Sequence, residues 1–133
     1  MFGYRNVRSE VVHLPDPTAD GTFVIWRAPA RAVKVEILDA WAAIPTAISG
    51  TGTAVVLQLF DRGASGTETV GTMSAALGAS GTGDWAANVP RAFTLSEGTL
   101  DGGDYLCLKY DESGTITPTF VTVGFSWVSG VGA

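Results

Sequence analysis

The chain has 133 residues, of which 46% are hydrophobic and only 16% are charged, and its formal net charge is −5. This length suits one domain with its own core, and the acidic balance disfavours nucleic acid as a partner, because phosphate binding needs clustered Lys and Arg. No run is apolar and long enough to predict a membrane span, and the polar segment Met1–Glu10 lacks the features of a signal peptide.

Short runs of β-branched and aromatic residues, separated by Gly, Pro, Asp and Ser, predict strands along the whole chain. In chain order the predicted strands are Val7–Leu14, Thr22–Arg27, Ala32–Trp41, Thr53–Asp61, Asp84–Val89, Ala92–Glu97, Tyr105–Tyr110 and Thr119–Val128. Alternation of apolar and polar residues indicates which side chains enter a core. These are Val33, Val35, Ile37, Val55, Leu57, Leu59, Phe93, Leu95, Val121, Val123, Phe125 and Trp127.

Three segments are harder to interpret. Ala42–Ala47 is compatible with a helical turn. Thr67–Gly83, rich in Gly, Ser, Thr and Ala, predicts a long loop with a short strand near Glu68–Thr72 or one helical turn at Ser74–Leu77. Leu100–Asp104 has the composition of a turn.

About eight strands at spacings of about 8–15 residues predict an all-β fold, a single antiparallel β-sandwich of the jelly-roll type. We expect one domain over residues 1–133, with an N-terminal arm at residues 1–8 and a C-terminal tail at residues 129–133. The only cysteine, Cys107, excludes an internal disulfide and is expected to be a small buried side chain.

Residues that could carry chemistry are few. His13 is the only histidine, which cannot supply the several ligands of a metal site, and no Gly-x-Ser-x-Gly motif accompanies it. Asp101 and Asp104 precede the strand Tyr105–Tyr110, and Asp111 and Glu112 follow it. Since six extended residues span about 20 Å, the two acidic pairs are too far apart for a glycosidase, and turn formation or a calcium ion at the first pair remain the alternatives. We therefore predict no catalytic residue, metal or cofactor.

Contact with another protein is the more promising role for several side chains. The N-terminal arm contains Arg5 and Arg8 ahead of the first acidic residue, and aromatic residues at Phe2 and Tyr4. Trp85 follows a Gly-rich stretch and is a candidate for an exposed anchor, with Asn88 beside it, although packing in the core is the alternative. The predicted partner-binding residues are Phe2, Tyr4, Arg5, Arg8, Trp85 and Asn88, within three contact regions formed by Phe2–Arg8, Thr67–Asn88 and Val128–Ala133.

A longer pattern resembles a known group of proteins. It consists of the phrase Phe93-Thr94-Leu95-Ser96-Glu97-Gly98-Thr99-Leu100-Asp101-Gly102-Gly103-Asp104-Tyr105-Leu106, then Gly114 and a long final strand, preceded by Phe23–Pro29 and Val33–Ile37. From about Gly21 to Val128 the chain resembles small β-sandwich proteins of tailed-phage virions, especially capsid decoration or cement proteins and minor head proteins.

The resemblance implies a non-enzymatic protein on the exterior of the capsid, made in the host cytoplasm, that binds the major capsid protein and locks capsomers together. It also implies a homo-oligomer, with a trimer favoured over a dimer, and neither nucleic acid nor a membrane as partner. One alternative is a carbohydrate- or receptor-binding module of a fibre or tail, with Trp85, Asp84 and Asn88 forming its platform. A small jelly-roll enzyme is the third hypothesis, for which the sequence offers no convergent acids or metal ligands.

Overall fold

The computed structural model describes residues 6–15, 21–48, 54–66, 71–78, 85–113 and 120–130, and these residues form ten strands and no helix. The strands are β1 (Arg8–Pro15), β2 (Gly21–Arg27), β3 (Lys34–Ala43), β4 (Ala54–Asp61), β5 (Gly71–Thr72), β6 (Leu77–Gly78), β7 (Arg91–Ala92), β8 (Thr99–Asp101), β9 (Tyr105–Ser113) and β10 (Phe120–Gly130). In the described segments, then, no helix exists that could cross a membrane.

The strands form two antiparallel sheets. Sheet A has the order β1-β10-β3-β7, with β8 also pairing β3, and sheet B has the order β2-β9-β4-β5, with β6 also pairing β4. The ten strands thus occupy eight positions, because β5 and β6 share one neighbour and β7 and β8 share another. Along the chain, the first position pairs with the eighth, the second with the seventh, the third with the sixth and the fourth with the fifth. This is the pairing of a long hairpin that is rolled into a jelly roll. The predicted fold class is confirmed.

The core lies between the sheets and is built by alternation. In β4 the inward residues Val55, Leu57 and Leu59 are at most 1% exposed, and in β10 the inward side chains Val121 and Phe125 are also buried. Cys107 is 1% exposed, as predicted. Burial of these large apolar side chains supplies most of the stabilising free energy, since each contributes roughly 1.5–3 kcal/mol.

Sheet A is irregular at one point. The pairing between β3 and β10 shifts register after Ser126, where Asp39 opposes Ser126 but Ile37 opposes Trp127. Leu38 is the extra residue of this β-bulge and is 44% exposed. Beyond the bulge, Trp41 returns to the outer face of the sheet, directly opposite Gly124.

Local predictions differ from the structure in several places. Asp84–Val89 was expected to be a strand, but Trp85 forms only an isolated bridge with Ile48, and residues 86–89 belong to no strand. Ala42–Ala47 forms no helical turn, since Ala42 and Ala43 are the last residues of β3. Ala92–Glu97 was expected to be a strand, but only Arg91 and Ala92 pair with β3, after which the chain bridges from Leu95 to Ser74. Thr99–Asp101 pairs with β3, so the predicted turn begins later, at Asp101. Val33 was expected in the core and is 62% exposed, since β3 begins one residue after it.

Candidate docking surfaces

The first surface is a groove where β1 begins and the last residues of β10 continue. We call it the basic groove, and its volume is about 480 Å³. Its lining residues are Arg8, Pro29, Arg31, Ala32, Val33, Trp127 and Ser129.

The strand register explains why the groove exists. The ladder between β1 and β10 ends at the pair Arg8 and Trp127, whereas β10 goes on pairing with β3 as far as Gly130. The end of β10 therefore lacks a described strand on its β1 side. The loop between β2 and β3 forms the opposite wall, and it is held by the Ala28 amide donating to the Asp104 carbonyl at 2.8 Å.

Arg8 occupies a defined position in this groove. Its guanidinium carbon lies 5.6 Å from the centre of the Trp127 ring, and the centre of the Trp26 ring lies 5.0 Å from the same ring. The indole of Trp127 is 4% exposed, and its N–H has no hydrogen-bond partner among the described residues. Arg8 and Arg31 are both exposed at the surface, so the charged groups of the groove are free to meet a partner.

A second surface, which we call the acidic edge, lies around β5 and β8, across β3 from the basic groove. It encloses a cavity of about 450 Å³. The lining residues are Lys34, Asp61, Gly71, Thr72, Met73, Glu97, Thr99 and Asp101. The described lining residues thus carry three carboxyl groups (Asp61, Glu97 and Asp101) and one ammonium group (Lys34).

Asp61 is the buried member of this acidic edge. It is 7% exposed and accepts a hydrogen bond from the Gly63 amide at 2.9 Å. The pKa of its carboxyl group is raised to about 6, chiefly by burial and also by the neighbouring carboxyl groups of Asp104 and Asp101, against the lowering effect of the Gly63 amide. The sequence showed no sign of this arrangement, because β4 places Asp61 beside a turn that lies about forty residues later in the chain.

The outer face of sheet A is the third surface. Trp41 lies half-buried at its centre, over Gly124, and Val11 lies on the other side of Gly124 in the register. Val11 is 57% exposed and Phe120 is 37% exposed, and the Phe120 ring meets the His13 ring edge-on at 5.9 Å. The part of this face around Gly124 is therefore apolar and aromatic, although Asp39 and Ser126 make the neighbouring part polar.

The structure places the predicted partner-binding residues in different surroundings. Phe2, Tyr4 and Arg5 lie outside the described residues, whereas Arg8 lines the basic groove. Asn88 is exposed, in a loop where its φ of 61° is unusual for a residue with a side chain.

The structure corrects the prediction that Trp85 is exposed. This side chain was expected to be an exposed anchor and is 2% exposed, with its indole N–H donating to the Val89 carbonyl at 2.8 Å. Backbone hydrogen bonds in both directions join it to Ile48, and the Arg91 guanidinium lies over its ring at 5.2 Å. The predicted carbohydrate platform therefore does not form around this side chain.

Other polar candidates have structural partners. His13 Nδ1 lies 2.8 Å from the Thr122 hydroxyl, and the Tyr110 hydroxyl donates to Glu112 at 2.7 Å. Lys109 and Asp111 form an ion pair at 3.7 Å. In the part of the chain that the structure describes, no three His, Cys, Asp or Glu side chains are grouped so as to hold a metal ion.

Chains of several solved virus structures are similar to this chain. A chain of the cyanophage Pam1 capsid asymmetric unit is similar over 98% of this chain and 90% of its own length, with a TM-score of 0.51 and 13% identity. Chains of turnip yellow mosaic virus (TM-score 0.43, 10% identity, 96% of this chain and 94% of that chain) and of infectious bursal disease virus strain Gx (0.41, 12%, 96% and 33%) are more distantly similar. No protein-family model and no curated protein matches the sequence.

The first of these likenesses defines the class of fold. At 13% identity it shows a shared architecture, a jelly-roll sandwich of the type present in that phage capsid. Because it covers nearly all of both chains, the likeness is between two whole chains of similar length.

Proposed function

We propose that the protein is a non-enzymatic structural protein of a virion. Its specific role in this proposal is that of a decoration or cement protein, which binds the major capsid protein on the outer surface of a tailed-phage head and stabilises contacts between capsomers. The observation that supports it best is the whole-chain likeness in fold to a chain of a phage capsid asymmetric unit.

The composition of the surface is consistent with a protein that is buried against other subunits in an assembly. Only 16% of the residues are charged, and large apolar side chains stay exposed on sheet A and its edge, including Val7, Val11, Leu38 and Phe120. Interface cores are depleted in charged residues, so this surface suits burial against protein neighbours. A protein that binds the assembled shell more tightly than free subunits stabilises the shell by mass action.

Three contact regions remain part of the proposal: the N-terminal arm with Arg8, the loop that includes Asn88, and the end of β10 with the tail that follows. The proposed oligomer is a trimer, with a dimer as the alternative, and the proposed location is the exterior of the virion capsid.

Co-sedimentation with expanded capsid shells of the phage that encodes the chain tests this function. The protein is expected to pellet with the shells at a fixed stoichiometry and to raise the temperature at which they fall apart. A matched pair of variants sharpens the test: Val11→Asp places a charge on the outer face of sheet A, and Thr22→Asp places one on the outer face of sheet B. Loss of binding by the first variant alone supports docking through sheet A, whereas absence of binding by the natural protein contradicts the proposal.

A further inference from the structure

We propose that the basic groove of one copy receives the acidic edge of a second copy of this chain, in a head-to-tail contact. The inference deepens the proposed function by naming the partner of one docking surface, and it rests on that function only for its biological setting.

The groove has the chemistry of a site for carboxylates. Its described lining contains the guanidinium groups of Arg8 and Arg31 and no carboxyl group. Neither arginine forms an ion pair with a described residue, and the Trp127 indole adds a buried N–H donor without an acceptor. Between the two cations the surface is apolar, with Val33 62% exposed. Such a groove matches a protein segment that brings carboxylates beside small side chains.

The acidic edge offers such a segment. Glu97 and Asp101 are exposed on either side of Thr99, and neither carboxyl group forms an ion pair with a described residue. The Glu97 carboxylate accepts a hydrogen bond from the Thr99 amide at 3.1 Å, which holds that side chain close to its own backbone. The segment is fixed to the sandwich by the pairing of β8 with β3 and by the Ile37 amide, which donates to the Gly98 carbonyl at 2.7 Å. The segment from Glu97 to Asp101, which we call the ridge of the acidic edge, is thus pre-organised and loses little conformational entropy on binding.

The two surfaces are distinct but adjoin at the first residues of β3, since Val33 lines the groove and Lys34 lines the acidic edge. Their separate positions decide the symmetry of the contact. The groove is beside β1, at one end of the sheet A order, and the acidic edge is beside β8, on the far side of β3. A two-fold contact through either surface would oppose like charges. A head-to-tail contact pairs unlike charges instead, and repeated around an axis it closes into a ring. The net charge of −5 disfavours nucleic acid as the occupant of the groove.

Neutral variants of the whole chain test the contact by sedimentation velocity. Arg8→Gln/Arg31→Gln removes the charges of the groove and keeps long polar side chains, and Glu97→Gln/Asp101→Asn removes those of the ridge. The natural protein is expected to self-associate in about 0.05 M salt and to dissociate in about 1 M salt, because charge pairs are screened. Each variant alone is expected to be a monomer. A mixture of the two is expected to give a 1:1 dimer and nothing larger, since one variant retains only the ridge and the other only the groove.

The control is Lys109→Gln/Asp111→Asn, which removes a charged pair from the outer face of sheet B and is expected to associate like the natural protein. Circular dichroism and melting temperature establish that each variant is folded. A natural protein that stays monomeric up to about 1 mM, where contacts worth about 4 kcal/mol would be populated, overturns the inference. So does a mixture of variants that remains monomeric.

The failure of this inference and of the proposed function can be told apart. If the natural protein stays monomeric yet pellets with shells, only the head-to-tail contact is wrong. If it self-associates as described but does not bind shells, the contact stands and the proposed function is wrong.

Discussion

Trp41 lies across the backbone of Gly124, its neighbour on β10, and covers a position of the outer face of sheet A that has no side chain. A Cβ atom at Gly124 would fall well inside van der Waals distance of Cε2 and Cζ2 of that indole. The glycine therefore allows a large aromatic ring to lie close to the sheet, and the ring in turn shields the backbone hydrogen bonds around it.

Gly124→Ala is expected to destabilise the fold by about 1–3 kcal/mol, because the added methyl group forces Trp41 off the sheet. Chemical denaturation measures the change. Gly71→Ala is the matched control, since a Cβ there meets no atom within 4 Å, and it is expected to have a much smaller effect. Equal losses for the two variants would contradict this account of Trp41.

Trp85→Ala is expected to cost about 3–5 kcal/mol of stability, as for other fully buried aromatic side chains. The nearby Val89→Ala, at a residue that is 49% exposed, is expected to change stability little. Thermal unfolding followed by tryptophan fluorescence compares them. A stable Trp85→Ala protein would show that the side chain is not part of the core.

Asp61 gives stability a pH dependence of defined sign. The pKa of its carboxyl group is about 6 in the folded protein and is ordinarily 3.8, so between these values the folded state holds a proton that the unfolded chain releases. Its stabilising contribution is complete below about pH 4 and is lost as pH rises through about 6.

Asp61→Asn is accordingly expected to flatten this dependence and to raise stability at pH 7 by about 1 kcal/mol, since asparagine keeps an oxygen that can accept from Gly63. Urea denaturation at several pH values measures it. Asp111→Asn, which removes a surface carboxylate, serves as the comparison and is expected to leave the slope between pH 4 and 6 unchanged. An unaltered slope in Asp61→Asn would refute the assignment.

Cys107 is expected to react with a thiol reagent only after unfolding. It is 1% exposed, and burial raises the pKa of its thiol, so the reactive thiolate is scarce in the folded protein. The rate of labelling in buffer, compared with that in denaturant, checks this. Rapid labelling of the native protein would mean that β9 opens easily.

Strands with strict alternation could be predicted from the sequence, because the pattern directly reports which side chains are buried. This holds for Val55, Leu57 and Leu59 in β4, all in the core. Phe93 and Leu95 alternate in the same way, but there the pattern reports burial without continuous pairing, since the chain leaves β3 to meet Ser74.

The candidate surfaces were far less predictable. Arg8 was identified from its place in a basic arm, but Arg31 joins it only because the loop after β2 folds back beside the end of β10. The approach of Asp61 to Asp104 depends on the register of β4 and β9, which no local pattern encodes. Trp85 was misjudged for a similar reason: its flanking glycines indicated exposure, whereas its bridge to Ile48 is a long-range contact.

The strand order of sheet A also determines when this sheet can fold during synthesis. β10 is the last of the described strands, yet it lies inside sheet A with β1 on one side and β3 on the other. During synthesis, β1 therefore waits for its only described partner strand until Gly130 has left the ribosome. Chains that stop short of β10 are left with two unpaired strand edges and lack the core residues Val121, Val123, Phe125 and Trp127, so premature termination yields an aggregation-prone product rather than a smaller folded one.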